Sequence, residues 1–353
     1  MNLSFRSPFL YFSCQHGAEK AVKEELLQEG SPYRLAYSQK GFVTLKSNLS
    51  TPCWSKSLPR HPLIRVSGHV LKRFDGEVAE PMVEQILGEF ASLDWDHMHV
   101  WQRDIAQPGW NGFEPGRSAL AAFVVEKFNE QLAKIPDPRR ASAFDFLSHG
   151  KKILEVIIDE PNRWWVGARP VESVEDGWPG GIYNIPIPQD MVSRAYLKLA
   201  EAVAWSQMPI GPGSKVVEIG SSPGGACQFL LDLGAKVTGI DPAEMDERVA
   251  NHPAYTHWRS RSIQVKRKEF SGFHFLICDA NVAPNYTLDT VEAIVTYPTS
   301  RMEGLLLTIK LSTWEHAKWI PDHLERVRSW GFSTVKARQL AHNRREYCLA
   351  AKR

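Results

Sequence analysis

The chain has 353 residues, of which 43% are hydrophobic and 23% charged, so it can form two domains with the composition of an ordinary globular protein. Its formal net charge of +2 gives no overall attraction to nucleic acid, and an RNA partner has to be inferred from local patches. The five cysteines form no C-x-x-C pair and no stretch reaches 18 uncharged apolar residues, so we expect a cytoplasmic protein with no metal site and no membrane segment.

The first predicted domain is a small α/β segment at residues 1–60. Residues 8–13 and 41–45 have strand-like patterns, and apolar residues at helical spacing predict a helix over residues 18–29. A proline-rich break, which begins at Pro52 and continues at residues 59–62, is predicted to end the segment.

A second domain is predicted at residues 61–171, with strand-like runs at 63–70, 119–125 and 151–159 and a helix at 78–93. Basic side chains lie near the paired tryptophans Trp164 and Trp165; they are Arg139, Arg140, Lys151, Lys152 and Arg163. This pattern is typical either of a surface that binds RNA phosphates and bases or of solvated strand ends above a core, and it leaves both possibilities open.

Proline and glycine dominate residues 172–188, which we interpret as a linker to a third domain at residues 189–353. Asp190 is predicted to cap a helix over residues 191–205. Further strands are predicted at residues 273–278, 305–311, 332–335 and 346–351, and a helix over 314–330 should break at Pro321. Alternating strands and helices predict a doubly wound, Rossmann-like α/β sheet that ends in an antiparallel pair.

A βαβ unit at residues 214–245 is the centre of this third domain. A β-branched strand ends at Gly220, a small-residue turn and a helix over 226–233 follow, and a second strand over 236–240 ends at Asp241. The glycine order G-x-x-x-G-G differs from the dinucleotide fingerprint G-x-G-x-x-G, so the loop favours a nucleoside ligand without pyrophosphate, such as S-adenosylmethionine. A tight turn that binds no ligand is the alternative.

Four polar residues stand out around this loop. Ligands of such sheets bind beyond the carboxyl ends of the strands, and Asp279 and Lys310 both lie at the ends of apolar strands. Three of the four have an ordinary explanation: Lys198 could pair with Glu201 on an exposed helix face, Lys310 could extend to solvent, and Glu346 could form a surface ion pair. Their order along the chain nevertheless predicts one catalytic site, made of Lys198, Asp279, Lys310 and Glu346.

Several motifs resemble those of the FtsJ-type ribose 2′-O-methyltransferases, which use a Lys-Asp-Lys-Glu set. They are S-R-A-Y-L-K-L at 193–199, S-S-P-G-G at 221–225, the strand end at Asp279, T-I-K-L at 308–311 and R-R-E-Y at 344–347. Over its whole length, including P-N-R-W-W-V-G at 161–167, the chain is similar to the RlmM branch of that family. The resemblance implies a ferredoxin-like segment, then a THUMP-like RNA-binding domain, then the methyltransferase domain.

The resemblance also implies a substrate, a cofactor and residue roles. The substrate would be 23S ribosomal RNA of the large subunit, or its precursor, methylated on one cytidine ribose, with S-adenosylmethionine as methyl donor. Cofactor contacts are expected at Ser193, Gly220, Ser222, Pro223, Gly224, Gly225, Asp241, Ser262 and Asp279. The family loop has Ala or Cys where this chain has Ser222, and an acid where this chain has Ser262, which predicts weaker adenine contacts.

The chemistry expected of this set is activation of a ribose hydroxyl. Lys310 would accept or position the hydroxyl proton, and the nearby Lys198 cation together with partial desolvation would lower the pKa of Lys310. Asp279 would hold the two amines, and Glu346 would orient Lys198 or the ribose.

Three other functions are weighed against this one. An RNA base methyltransferase would need an N/D-P-P-Y motif, where residues 279–282 read D-A-N-V, or a Pro-Cys nucleophile, which occurs only at Pro52-Cys53. An RNA-binding protein with a degenerate methyltransferase site is favoured by Ser262 and by the basic segment W-R-S-R at 258–261. A dehydrogenase ranks last because the glycine spacing is wrong for a dinucleotide.

Overall fold

A computed structural model describes residues 7–48, 58–76, 79–135 and 138–353. The chain folds as two compact units, residues 1–184 and 185–353. The division falls inside the predicted linker at 172–188. Pro52-Cys53 and the predicted helix start at Val78 lie outside the described residues.

The first unit is an eight-stranded sheet with helices. Its elements are β1 (Phe9–Cys14), α1 (Glu19–Leu26), β2 (Tyr33–Gln39), β3 (Phe42–Ser47), β4 (Ile64–Asp75), α2 (Ala79–Phe90), β5 (His97–Gln102), α3 (Ala119–Leu132), β6 (Ala141–Ser142), β7 (Lys152–Glu160) and β8 (Arg163–Pro170). The strand order is β2-β3-β1-β4-β8-β7-β5-β6, and β5 runs parallel to both of its neighbours while the other pairs are antiparallel. Sequence patterns missed β2, β5, β6 and β8.

The segments predicted as separate domains at 1–60 and 61–171 share this sheet, because β1 pairs with β3 on one side and with β4 on the other. Their independence as domains stays a prediction. Part of the predicted linker is folded: Ile182 and Tyr183 are buried, and Gly180 packs against the ring of Trp101.

The paired tryptophans are core residues and not a stacking platform. Consecutive side chains of a strand point to opposite faces of the sheet. Trp164 therefore packs with α2 and α3 on one face, and Trp165 packs with Tyr11 and Phe42 on the other. Both rings are at most 9% exposed, so neither can receive an RNA base.

Basic residues around these strands already have acidic partners. Lys151 Nζ lies 3.1 Å from Asp96, Lys152 contacts Asp94, and Arg140 lies 2.8 Å from Asp145. These pairs neutralise charge that would otherwise attract phosphate, so of the two possibilities the structure favours solvated strand ends above a core at this place.

The predicted strand at residues 119–125 is wrong, because the segment begins the helix α3. The Ser118 hydroxyl caps this helix by accepting from the backbone N–H of Ala121. A helical period is followed by the buried residues Ala121, Val124, Phe128 and Leu132. Two of them lie beyond residues 119–125, so the period cannot be recognised within that segment alone.

The second unit is a doubly wound α/β sheet, as predicted. Its elements are α4 (Ala195–Ser206), β9 (Lys215–Ile219), α5 (Gly225–Asp232), β10 (Lys236–Ile240), α6 (Glu247–Ala250), β11 (Tyr255–Trp258), β12 (Phe275–Cys278), α7 (Pro284–Val295), β13 (Gly304–Lys310), α8 (Ile320–Ser329), β14 (Thr334–Arg338) and β15 (Glu346–Lys352). The order is β11-β10-β9-β12-β13-β15-β14; β15 runs antiparallel to β13 and to β14, while the other pairs are parallel.

One helix boundary differs from the prediction and another agrees with it. Asp190 does not cap α4, which begins at Ala195 after Arg194 and has no side-chain cap. The helix predicted over 314–330 is divided, as expected, into a 3-10 turn at Trp314–Trp319 and α8, in whose first turn Pro321 lies.

Candidate active site

The sheet of the second unit brings the predicted polar residues to one edge. Strands β9, β10, β12 and β13 are parallel neighbours, so Gly220, Asp241, Asp279 and Lys310 all lie at their carboxyl ends. The antiparallel strand β15 begins at this same edge, and its first residue, Glu346, is the direct register partner of Lys310.

Lys198, Asp279, Lys310 and Glu346 form a closed ring of alternating charges. Lys198 Nζ lies 3.1 Å from Asp279 Oδ2 and 2.6 Å from Glu346 Oε1. Lys310 Nζ lies 2.8 Å from Asp279 Oδ1 and 2.5 Å from Glu346 Oε2. Each carboxylate thus bridges both ammonium groups, and the four predicted catalytic residues converge.

This ring shifts the pKa values of Glu346 and Lys310 in the directions that favour their charged forms. Burial alone would raise the pKa of Glu346, but the ammonium groups of Lys198 and Lys310 outweigh burial and lower that pKa to about 2. Burial alone would lower the pKa of Lys310, but the carboxylates of Asp279 and Glu346 outweigh it and raise that pKa.

The expectation that Lys198 lowers the pKa of Lys310 is therefore wrong for this arrangement. Both carboxylates lie between the two lysines and screen the repulsion between their positive charges. The alternative that Lys198 pairs with Glu201 on an exposed face is also wrong: Glu201 is fully buried and accepts the backbone N–H groups of Ala341 and His342.

An open cavity of about 690 Å³ lies against the ring. Its wall includes the two lysines and Glu346, together with Ser193 from the segment before α4. The exposed side chains of Arg344 and Arg345 also line it. The cavity therefore combines buried charges that can act on a polar group with cations that can attract an anion.

The glycine loop approaches Ser193 closely. Gly220 and Gly224 have φ of +82° and +121°, which L side chains rarely adopt. A Cβ on Gly225 would lie 2.2 Å from the Ser193 hydroxyl oxygen and 2.7 Å from its carbonyl oxygen. The Ser193 hydroxyl is buried and has no hydrogen-bond partner among the described residues, so it can serve a polar ligand in the cavity.

Asp241 stabilises the same loop. Its carboxylate accepts the backbone N–H of Ser222 at 3.2 Å and that of Ala243 at 2.8 Å, and the Ser222 hydroxyl donates to the carbonyl of Glu244. A carboxylate has about four acceptor positions. Two of those of Asp241 can still receive the hydroxyls of a ribose.

The remaining predicted cofactor residues lie on the loop or beside it. Pro223 follows Ser222 through a cis peptide bond. Ser262 begins a 3-10 turn after β11, two strands away from β9, and its carbonyl accepts from Arg267. A contact between Ser262 and an adenine stays a prediction.

Sequence reasoning missed Glu218, which lies in the middle of β9 below the loop. Its carboxyl group is buried, which raises its pKa to about 8, and it accepts a hydrogen bond from the Cys227 thiol at 2.8 Å. The signal was present, since one acid interrupts the β-branched run K-V-V-E-I.

Metal-ligand clusters and bilayer-spanning helices are both absent from the described residues. No group of three His, Cys, Asp or Glu side chains among them could hold a metal ion. Within the same part of the chain, none of the helices has the length and apolarity that crossing a bilayer requires.

A model of a known protein family matches part of this unit. The model of the FtsJ-like methyltransferase family matches residues 191–313, which include three of the four ring residues. Proteins named ribosomal RNA large subunit methyltransferase M are similar: that of Halorhodospira halophila is 27% identical over 204 residues, 57% of each chain. That of Azotobacter vinelandii is 26% identical over 229 residues, 60% of this chain and 59% of the relative. The chain spans between half and three fifths of the length of the first relatives it matches.

Substitution of Gly225 by alanine tests the loop geometry. We expect Gly225→Ala to lower the free energy of unfolding by about 1–3 kcal/mol, because the new methyl group overlaps backbone and side-chain atoms of Ser193. Gly272→Ala is the matched control, since its Cβ would meet nothing within 4 Å. Denaturant unfolding of both variants is the measurement, and equal midpoints would contradict the packing described.

Proposed function

We propose that this chain is an S-adenosylmethionine-dependent ribose 2′-O-methyltransferase that acts on large-subunit ribosomal RNA. The observation that carries the proposal is the ring of two lysines and two carboxylates beside the glycine loop. The matched family model over residues 191–313 and the printed names of the relatives support it. The cytidine as target, the THUMP-like role of residues 61–171 and the cytoplasmic location belong to the same proposal.

The residues present fit the proposed cofactor. The unpartnered Ser193 hydroxyl and the close glycine turn would hold the methionine end, and the free acceptor positions of Asp241 would hold the ribose. When bound, the cofactor supplies an electrophilic methyl group on a positively charged sulfonium. That positive charge beside the ring would lower the pKa of Lys310 from its value in the free protein.

Lys310 is the group proposed to take the proton. In its neutral form, the Nζ atom would accept the proton of the ribose 2′-hydroxyl, whose oxygen would take up the methyl group that the bound cofactor would supply. Lys198 would hold both carboxylates in position through its contacts with Asp279 and Glu346. Alignment of the reacting atoms in the cavity would supply much of the rate.

Methyl transfer itself is the first test. Ribosomal RNA from cells that lack the protein would be incubated with the chain and methyl-labelled S-adenosylmethionine, and the labelled nucleoside identified by mass spectrometry. We expect label on a ribose. Lys310→Met should reduce the rate by about 10²–10⁴-fold, whereas Lys215→Met, an exposed change at the opposite edge of the sheet, should not.

Three outcomes of that experiment would reject the proposal. Label on a base would indicate a base methyltransferase. Binding of RNA without binding of S-adenosylmethionine, measured by calorimetry, would indicate a degenerate site. A fully active, folded Lys310→Met variant would remove Lys310 from the chemistry.

The pH dependence provides a second test. Because the carboxylates of Asp279 and Glu346 raise the pKa of Lys310, the neutral base is a minor form at pH 7, and the single-turnover rate should rise with pH. Glu346→Gln removes one of these carboxylates, so the midpoint of the rise should move to lower pH even though the maximal rate falls. An unchanged midpoint would show that another group takes the proton.

The rim of the cavity allows a test of the RNA substrate. Arg345 is exposed and lines the cavity, and a phosphate next to the target ribose would pair with it. Arg345→Glu should raise the Kd for RNA about tenfold or more and reduce its salt dependence, while S-adenosylmethionine binding stays within twofold. Arg328→Glu, an exposed change on α8, is the control; equal effects of both variants would contradict a specific contact.

A further inference from the structure

Helix α4 presents two charged residues one turn apart, and only Lys198 belongs to the ring. Glu201, three positions later, is fully buried. Its two carboxylate oxygens accept the backbone N–H groups of Ala341 and His342, each at 2.9 Å. A buried carboxylate with two backbone donors is a stable anchor, because hydrogen bonds to a charged acceptor are stronger than neutral ones.

The anchored backbone is the loop of residues 339–345, which connects β14 to β15 and leads directly into Glu346. Asn343 braces this loop: its Oδ1 accepts from the backbone of Leu340 at 3.0 Å, and its Nδ2 donates to Glu346 Oε1 at 3.4 Å. Gln339 Nε2 donates to the carbonyl oxygens of Arg344 and Glu346. The position of the Glu346 carboxylate therefore depends on the path of the loop.

We propose that Glu201 is a positioning residue: by accepting two backbone N–H groups it docks the loop of residues 339–345 on α4 and so holds Glu346 between Lys198 and Lys310. Lys198 and Glu201 share one rigid helix, so the same element that supplies one ammonium group also fixes the carboxylate which that group contacts. The inference deepens the proposed methyl transfer and rests on it for its kinetic test.

Glutamine cannot replace Glu201 in this role. A carboxylate offers acceptor oxygens to both N–H groups, whereas an amide offers one oxygen and one NH₂ group. In Glu201→Gln, the NH₂ group would face a backbone N–H, and one buried donor would lose its partner. We expect the loop to move away from α4 and Glu346 to retreat from the two lysines.

The kinetic experiment compares Glu201→Gln with Glu325→Gln, an exposed change on α8 whose carboxylate lies 3.2 Å from Arg328 Nη1. Charged groups that face Lys310 are Asp279 and Glu346, and Lys198 lies across them. Glu201→Gln should leave the Kd for S-adenosylmethionine within twofold, lower the maximal single-turnover rate 10–100-fold and move the pH midpoint down. A lower rate with an unmoved midpoint would indicate a merely structural role and overturn the inference.

A direct measurement separates this inference from the proposed function. Side-chain ¹⁵N-lysine NMR, with the Lys310 signal assigned by Lys310→Arg, can follow its titration without any substrate. The midpoint of Lys310 should fall in Glu201→Gln and stay unchanged in Glu325→Gln. If the wild-type chain methylates no RNA, this comparison still decides the role of Glu201.

If Glu201→Gln does not fold, Glu201→Asp replaces it in both measurements. Aspartate keeps the charge but is one methylene shorter, so it should retain one of the two contacts and give an intermediate shift. A folded Glu201→Asp with the wild-type midpoint would overturn the inference.

Discussion

The arrangement depends on charge neutralisation in a partly buried place. The net charge of the ring is zero, because it contains two ammonium groups and two carboxylates. Each of these side chains is 23% exposed or less, and each charged oxygen and nitrogen contacts a group of opposite sign. Loss of one member would leave an unpaired charge with little water around it, which is costly. Three of the four residues come from α4, β13 and β15, and Asp279 directly follows β12, so the ring also connects elements that are distant along the chain.

The strand directions in the sheet determine that the ring residues meet. Parallel strands deliver Asp279 and Lys310 to one edge, and the reversed strand β15 starts where β13 ends. A returning strand is the only kind that can place its first residue opposite the last residue of its neighbour. The antiparallel pair at the end of the sheet is therefore what brings Glu346 into the ring.

Much of this could be predicted from the sequence, and the failures have a common cause. Asp279 and Lys310 can be recognised in the sequence because a charged side chain at the end of an apolar strand is costly to bury and therefore indicates a site at the strand end. The alternative pairing of Lys198 with Glu201 is wrong, because three-residue spacing on a helix suggests a local partner, whereas the backbone groups that Glu201 binds lie about 140 residues away. The direction of the Lys310 pKa shift depends on which charges are nearest in space, and the sequence does not give those distances. Trp164 and Trp165 are buried because both faces of their sheet are covered, which no local sequence pattern indicates.

The shared sheet of the first unit has a consequence for dividing the chain. Strand β4 pairs with β1 on one edge and with β8 on the other. A fragment that starts after residue 60 would keep β4 but lose its outer neighbour, and the exposed row of amide and carbonyl groups is a template for association with other molecules. Truncation at that apparent boundary would therefore yield a self-associating fragment, and expression of the entire unit to residue 184 is the sounder choice.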